Sequence, residues 1–140
     1  GWDTHSGQQA RLANQLRALD ALIDALHVGL GDDWNDTTVL AATEFGRTAA
    51  VNGTGGTDHG TASAAMLAGG AVNGGRVLAD WPGLSTSALH QGRDLAPTLD
   101  LDALIAVTAA ETFGFDPEET MRTLFAGGRF DPAISDIVRK

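Results

Sequence analysis

Residues 37–47 read TTVLAATEFGR, and the first seven of them form a short run that is typical of a buried β-strand. Before it, leucine and isoleucine recur every three or four residues between residues 7 and 30, which predicts an amphipathic helix. Ser6 and Gln9 have the spacing of a capping box at the start of that helix. A helix that leads into a buried strand is half of a βαβ unit, so we expect an α/β fold with a mainly parallel sheet. Ligands bind such sheets at the carboxyl ends of the strands.

The remaining elements are predicted from glycine, proline and apolar patterns. Residues 61–71, TASAAMLAGGA, are alanine-rich and fit a helix, but the apolar run closed by two glycines also fits a buried strand, which we favour. Asp116 and Pro117 have the residue types of an N-cap and a first helical position. In chain order we predict a loop over 48–60, a strand within 61–71, a short strand over 74–79, a helix over 99–113, a helix from Asp116 to about Phe125, and a tail over the last dozen residues.

Length and composition indicate one globular domain over residues 1–140. Hydrophobic residues make up 43% of the chain and charged residues 19%, which suits a packed core. The net charge of −9 argues against a nucleic-acid partner, because phosphate backbones bind surfaces rich in lysine and arginine. No apolar run approaches the roughly 18–20 residues that cross a bilayer, so we expect no membrane span. The absence of cysteine excludes disulfides and thiolate metal ligands.

Two short acid–histidine clusters carry the strongest chemical signal. Asp3 and His5 lie two residues apart, so both side chains point to one face of an extended segment and can reach one divalent metal. Asp58 and His59 are adjacent, so they point apart and could serve two neighbouring metals. Oxygen and nitrogen ligands of this kind suit zinc or manganese. The alternative is that both aspartates cap turns and both histidines are ordinary polar residues.

Two further charged pairs lie in predicted loops. Glu44 and Arg47 bracket Phe45-Gly46 at the end of the first predicted strand. Arg47 could bind a substrate oxyanion, and Glu44 could be a metal ligand or a general base. The alternative for these two residues is an ion pair that fixes the loop. For Arg93-Asp94 we expect a structural salt bridge.

Five motifs, taken in order, resemble a bacterial family of proteins exported by the twin-arginine route. That family is a domain of unknown function grouped with the alkaline phosphatase/sulfatase superfamily. The resemblance extends from residue 1 to about residue 115. The motifs are WDTH at 2–5, VLAATEFGRT at 39–48, NGTGGTDHG at 52–60, LAGGAVNGGRVLADWPGL at 67–84 and GRDLAPTLD at 92–100.

The resemblance implies an α/β/α sandwich with a two-metal site. Asp3 and His5 match the first acid–histidine ligand pair of the superfamily, and Asp58 with His59 match the second. The first pair is spaced more closely than is usual there, and His90 is a poor match for a further C-terminal histidine ligand. The superfamily nucleophile and a first aspartate ligand would precede residue 1. We therefore expect the chain to be the C-terminal part of a larger periplasmic or secreted protein.

These observations predict a metal-dependent hydrolase of phosphate or sulfate esters. The divalent metal would be zinc, manganese or calcium, held by Asp3, His5, Asp58 and His59, with Arg47 on the small anionic substrate. Without a nucleophile, the chain alone is expected to be inactive. A cut parallel sheet would expose an edge, so we expect a partner: the missing N-terminal part or a second copy. The alternatives are a non-catalytic binding or assembly domain on a phosphatase-like scaffold, and a self-standing domain with no site.

Overall fold

The computed structural model describes residues 2–139, in which a helix and a 3-10 helix are followed by four short strands and then by two helices. The elements are, in chain order, α1 (Gln8–Leu30), a 3-10 helix (Gly31–Asp36), β1 (Val39–Ala41), β2 (Gly46–Arg47), β3 (His59–Gly60), β4 (Met66–Ala68), α2 (Leu101–Phe113) and α3 (Pro117–Leu124). The three predicted helices are confirmed, because each is specified by local spacing and by helix-start or helix-stop residues.

The described residues form two units, each built from three stretches of chain. Unit 1 comprises residues 2–29, 42–65 and 81–97. Unit 2 comprises residues 30–41, 66–80 and 98–139. The expectation of one domain over residues 1–140 stays a prediction.

In unit 1, the start of α1 is tied to the loop that the sequence predicts over residues 48–60. The N–H groups of Gly7 and Gln8 donate to the carbonyl oxygens of Thr54 and Gly55 over 3.1 and 2.9 Å. These bonds satisfy N–H groups that a helix leaves without partners. The predicted capping box is wrong, because the side chain of Ser6 makes no hydrogen bond within residues 2–139. The backbone carbonyls of the loop accept the hydrogen bonds from the start of the helix instead. None of the residues of α1 is buried.

The second feature of unit 1 is a two-residue antiparallel ladder between β2 and β3. Gly46 pairs with Gly60, and Arg47 pairs with His59. A Cβ atom on Gly46 would overlap the backbone of Ala62, so this approach requires glycine. The ladder therefore brings Arg47 beside His59.

In unit 2, β1 pairs with β4 in an antiparallel ladder, with Leu40 opposite Leu67. The strands predicted within 37–43 and 61–71 are confirmed. Both ladders in residues 2–139 are antiparallel, so this part of the fold is mixed α/β with small antiparallel sheets. The predicted parallel pairing does not occur there, because succession of a helix and a strand does not fix the direction of pairing. The α/β/α sandwich expected from the resemblance stays a prediction.

Helices α2 and α3 begin and end as their sequences predict. Asp100 caps α2, its side chain accepting a hydrogen bond from the N–H of Asp102, and Gly114 ends the helix with a φ of 71°. Asp116 caps α3 by accepting from the N–H of Glu119. The strand predicted over 74–79 is wrong: this segment joins no ladder in the described chain, and Val77 is 89% exposed.

Residues 129–139 contribute to the core of unit 2, so the prediction of a tail is wrong for this part of the last dozen residues. Val138 forms a β-bridge with Val72, and the N–H of Arg139 donates to the carbonyl of Ala71 over 2.7 Å. Each fully buried aliphatic side chain contributes about 1.5–3 kcal/mol. The buried cluster consists of Ala103, Ala106, Val107, Met121, Ile134, Ile137 and Val138.

Within residues 2–139, no helix combines the length and the apolar character needed to cross a membrane. This agrees with the expectation from the sequence that the chain has no membrane span.

Candidate metal centre

The two acid–histidine clusters meet in unit 1 along a buried polar seam. Thr4 and Thr57 are both buried, and the N–H of Thr57 donates to the carbonyl of Thr4 over 3.3 Å. Their hydroxyls donate to the same side-chain oxygen of Gln8, over 3.1 and 2.6 Å. These bonds hold the neighbours of the two threonines in place. Asp3 and His5 flank Thr4, and Asp58 follows Thr57.

Asp3, His5 and His59 present one ligand atom each within 4.8 Å of one another. Oδ1 of Asp3 lies 3.2 Å from Nε2 of His5 and 3.0 Å from Nε2 of His59. The rings of the two histidines lie 4.8 Å apart, and all three side chains are about half-exposed. The expectation that Asp3 and His5 point to one face is confirmed, and β3 brings His59 to the same place.

Asp58 does not belong to this three-residue group. It contacts the other ring nitrogen of His5, Nδ1. Its Oδ1 atom lies 3.1 Å from Nδ1 of His5. A carboxylate at Nδ1 favours the tautomer with its proton on that nitrogen, which makes Nε2 the ligand atom for a cation. Carboxylate–histidine pairs of this kind orient histidine ligands in metal sites. The geometry thus fits Asp58 as a positioning residue for His5, rather than as a ligand of the same metal.

Asn52 fixes the orientation of Asp58. Its Nδ2 atom donates to Oδ1 of Asp58 and to the carbonyl of His5, both over 2.9 Å. Its Oδ1 atom accepts from the N–H groups of Thr54 and Gly56, both over 3.0 Å. Backbone N–H groups can only donate, so these bonds define which end of the amide is oxygen. The role of Asn52 was not predicted from the sequence, although its position in NGTGG, a turn-forming run before Asp58, is a usable signal.

Arg47 is bound to the first cluster rather than open to a substrate. Nη2 donates to Oδ1 of Asp3 over 2.6 Å and to the carbonyl of Trp2 over 3.1 Å. Nη1 donates to the carbonyl of Thr57 over 3.0 Å, and the side chain is 22% exposed. The alternative ion pair with Glu44 does not form: the Glu44 side chain is exposed and has no hydrogen-bond or salt-bridge partner in the described chain.

Phe45 covers one face of the His59 ring, a contact that the sequence analysis did not anticipate. The two ring centroids lie 4.0 Å apart with an interplanar angle of 28°. The guanidinium carbon of Arg47 lies 5.3 Å from the centre of the same phenyl ring. This stacking limits rotation of His59 and keeps its Nε2 atom directed at Asp3.

The two aspartates near the centre hold their charge more strongly than usual. Partial desolvation raises the pKa of Asp3, but hydrogen bonds from Arg47 and His59 and the nearby histidines outweigh it, so the net pKa is lowered. The pKa of Asp58 is lowered, first by the hydrogen bond from Asn52 and next by the one with His5. Both carboxylates are therefore ionised at neutral pH and available to a cation.

Arg93 and Asp94 form the structural salt bridge that the sequence predicts. Nε of Arg93 donates to Oδ1 of Asp94 over 2.7 Å, and Nη2 donates to Oδ2 over 3.2 Å. Asp94 is buried and also accepts from the hydroxyl of Thr61 over 2.9 Å. The pKa of Asp94 is lowered, chiefly by the hydrogen bond from Arg93. His90 pairs with Asp94 through its backbone and does not join the three-residue group.

Two of the distances within the cluster are those expected between ligands of a small divalent cation, and the group as a whole lies within 4.8 Å. Ligand atoms about 2.0–2.1 Å from a tetrahedral zinc ion lie about 3.3 Å from one another. The distances from Oδ1 of Asp3 to the two Nε2 atoms, 3.2 and 3.0 Å, are close to that value. Two imidazoles and one carboxylate form a donor set that zinc and manganese accept, and three protein ligands leave further positions open.

Comparison with protein families accounts for most of the chain. A family model described as "Protein of unknown function (DUF1501)" matches residues 1–125. The chain belongs to the DUF1501 family. No curated protein and no solved structure gives a significant match to it.

The DUF1501 match covers every residue of the candidate centre. Asp3, His5 and His59 lie within it, as do Asp58 and Arg47. It covers unit 2 only up to the end of α3, since α3 spans Pro117–Leu124 and the match ends at residue 125. The resemblance noted from the sequence is thereby confirmed at the level of a domain of unknown function.

Proposed function

We propose that this chain carries the metal centre of a hydrolase of phosphate or sulfate esters. The observation that supports this most strongly is the convergence of Asp3, His5 and His59, whose ligand atoms lie within 4.8 Å of one another. Two of these residues come from one end of the chain and the third from the middle. Each of the two imidazole Nε2 atoms lies within 3.2 Å of one carboxylate oxygen of Asp3, and this proximity supports a shared cation.

Neighbouring side chains hold these candidate ligands in fixed orientations. Asp58 holds the proton on Nδ1 of His5 and leaves Nε2 as the donor to a cation. Arg47 fixes Asp3 through a 2.6 Å hydrogen bond, and Phe45 stacks on His59. Each ligand is thus held from outside the cluster, which is how preorganised metal sites keep their geometry.

The reaction class is proposed from the sequence resemblance, and the donor set is compatible with it. A divalent cation held by two histidines and one aspartate supplies Lewis acidity that polarises a phosphoryl or sulfuryl oxygen. Hydrolysis breaks the ester bond, adds the elements of water, and releases an alcohol and inorganic phosphate or sulfate. A negatively charged ester needs local positive charge on a chain whose net charge is −9, and the cation with its neighbouring guanidinium groups would provide it.

Three finer proposals rest on the sequence resemblance. They are that the scaffold is of the alkaline phosphatase/sulfatase type, that a second metal lies near Asp58, and that the protein is exported to the periplasm or secreted. Within the same proposal, the nucleophile and a further aspartate ligand come from a segment preceding residue 1.

A second candidate function is a non-catalytic binding or assembly module. It is favoured by the exposure of the ligand side chains, which are 46–51% accessible. A catalytic centre commonly excludes water, whereas an open cluster of this kind suits a metal that a partner chain would cover.

Metal analysis of the purified 140-residue chain tests both candidates. We expect near-stoichiometric zinc or manganese in the wild type and loss of the metal in His59→Ala. His90→Ala is the matched control, because it removes a histidine outside the group of three. Hydrolysis of aryl phosphate or aryl sulfate by the full-length protein would favour the hydrolase, and bound metal without hydrolysis would favour the binding module. Absence of metal from the wild type would contradict the hydrolase and favour a binding or assembly module that needs no metal.

A further inference from the structure

Two guanidinium groups contact the candidate centre in the part of the chain that the structure describes, and they differ in accessibility. Arg47 is 22% exposed and its donors are directed at Asp3 and at two backbone carbonyls. Arg93 is 62% exposed, and its Nη2 atom lies 3.4 Å from the carbonyl oxygen of His59. Arg93 is therefore a solvent-accessible cation fixed to the backbone of a proposed metal ligand.

The guanidinium group of Arg93 is hydrogen-bonded through two of its three nitrogens, Nε and Nη2. Asp94 engages Nε and Nη2, and Asp94 is itself buried and bonded to Thr61. The remaining nitrogen, Nη1, makes no hydrogen bond to any residue between 2 and 139. A guanidinium anchored along one edge loses little conformational entropy when it binds a ligand through the other.

We propose that Arg93 is the residue that binds the anionic group of the substrate, with Nη1 donating to an oxygen of a phosphate or sulfate group. This inference rests on the proposed hydrolase function and names the substrate-binding residue of the same site. It replaces the expectation from the sequence that Arg47 has this role, because the hydrogen bonds of Arg47 make it the positioning residue for Asp3.

Charge supports this assignment. The carboxylates of Asp3 and Asp58 would repel an approaching anion unless a cation faced it. Arg93 is an exposed cation beside these carboxylates, since its Nη2 atom lies 3.4 Å from the carbonyl oxygen of His59. Nη1 carries N–H groups of its own, so Arg93 can donate to an oxyanion while Nε and Nη2 stay bonded to Asp94.

Binding of inorganic phosphate to the zinc-loaded chain, followed by calorimetry, tests the assignment. Replacing Arg93 alone would leave Asp94 buried without its partner, so the main variant is the double substitution Arg93→Gln with Asp94→Asn, which keeps polar contact between the two side chains. We expect phosphate affinity to fall about 10-fold to 100-fold while zinc stoichiometry is unchanged. Arg93→Lys should give an intermediate loss, because lysine keeps the positive charge but cannot hold Asp94 and an oxyanion through separate nitrogens.

Arg122→Gln is the matched control. Arg122 is 63% exposed, which is close to the exposure of Arg93, and it also pairs with a carboxylate, that of Glu118, but it belongs to unit 2. Unchanged phosphate affinity in the double variant would overturn the role of Arg93, as would absence of phosphate binding by the zinc-loaded wild type. Failure of the wild type to hold zinc would instead refute the proposed function. Circular dichroism of each variant establishes that it is folded.

Discussion

Nδ1 of His5 lies 3.1 Å from Oδ1 of Asp58, although 53 residues separate them in the chain. This contact joins the two acid–histidine clusters, and it gives their members different roles. His5 faces the cluster through Nε2, while Asp58 supports it from the opposite side of the ring. Asn52 in turn donates to the same oxygen of Asp58 over 2.9 Å. The centre therefore has two groups of residues. Asp3, His5 and His59 are the candidate ligands. Asp58 and Asn52 support His5 through hydrogen bonds.

Asp58→Asn should weaken zinc binding about 10-fold to 100-fold without abolishing it, because a supporting residue is lost and all three inner ligands remain. The amide can donate to Nδ1 of His5 and so move the imidazole proton to Nε2, the atom that faces Asp3. Competition with a chromophoric chelator measures the affinity. Asp80→Asn, at an exposed aspartate in unit 2, is the matched control. A complete loss of zinc would make Asp58 a ligand, and an unchanged affinity would remove it from the centre.

Gly56→Ala should lower both the stability of the chain and its zinc affinity. A Cβ atom at Gly56 would overlap the backbone of Thr4 and His5, so the loop must move away from the segment that carries His5. Overpacking of this kind costs about 1–3 kcal/mol in the free energy of unfolding. Gly53→Ala lies in the same loop and has no atom within 4 Å of its added Cβ, which makes it the control. Urea denaturation with and without zinc should separate the two variants, and equal stability would contradict the close approach.

The helices could be predicted from the sequence because their signals are local. The caps Asp100 and Asp116 each act on a residue two or three positions ahead, and the C-cap Gly114 follows directly on its helix. The last dozen residues could not be predicted in the same way. Ile137 and Val138 are buried through contacts with residues far away in the chain, and no regular spacing marks them.

In the candidate site too, local relationships could be predicted from the sequence, and contacts between distant residues could not. The spacing of Asp3 and His5 was enough to predict that they share a face, and the structure confirms it. The adjacency of Asp58 and His59 predicted that they diverge, but not that Asp58 would reach His5 and His59 would reach Asp3. The role of Arg47 depends on Trp2 and Asp3, more than 40 residues away, so its own neighbours in the sequence could not indicate it.

Acid should destabilise unit 1 partly through Asp94. Its pKa in the folded chain is lowered from the ordinary 3.8, first by the hydrogen bond from Arg93. A lowered pKa means that the ionised form stabilises the fold at pH values above 3.8, and that this contribution disappears as the pH falls through the lower folded value. Asp94→Asn lacks the contribution at every pH. The difference in free energy of unfolding between wild type and variant should therefore be largest above about pH 5 and shrink below about pH 4.

Urea denaturation across that pH range measures the effect. Asp20→Asn, at an exposed aspartate of α1, is the control for loss of a carboxylate as such. A difference between wild type and Asp94→Asn that stays constant from neutral pH to the acid limit would contradict the prediction.

Glu111→Gln should loosen the C-terminal segment of unit 2. The carboxylate of Glu111 accepts hydrogen bonds from three consecutive backbone N–H groups, those of Asp136, Ile137 and Val138, over 2.7, 2.7 and 2.8 Å. An amide has one oxygen, so its NH₂ group must face at least one N–H donor, and a hydrogen bond to a charged acceptor is worth about 1.5–3 kcal/mol. We expect a loss of that order in the free energy of unfolding, and faster hydrogen exchange at residues 136–138.

Glu118→Gln provides the comparison, because Glu118 is exposed and forms only a salt bridge to Arg122 one turn along α3. Such exposed pairs contribute about 0.3–0.5 kcal/mol, so this variant should unfold almost as the wild type does. If the two variants were equally stable, the segment over 136–138 would be held by the burial of Ile134, Ile137 and Val138 rather than by the carboxylate. Exchange that is fast at 136–138 in Glu111→Gln and slow in Glu118→Gln would instead assign the attachment of this segment to Glu111.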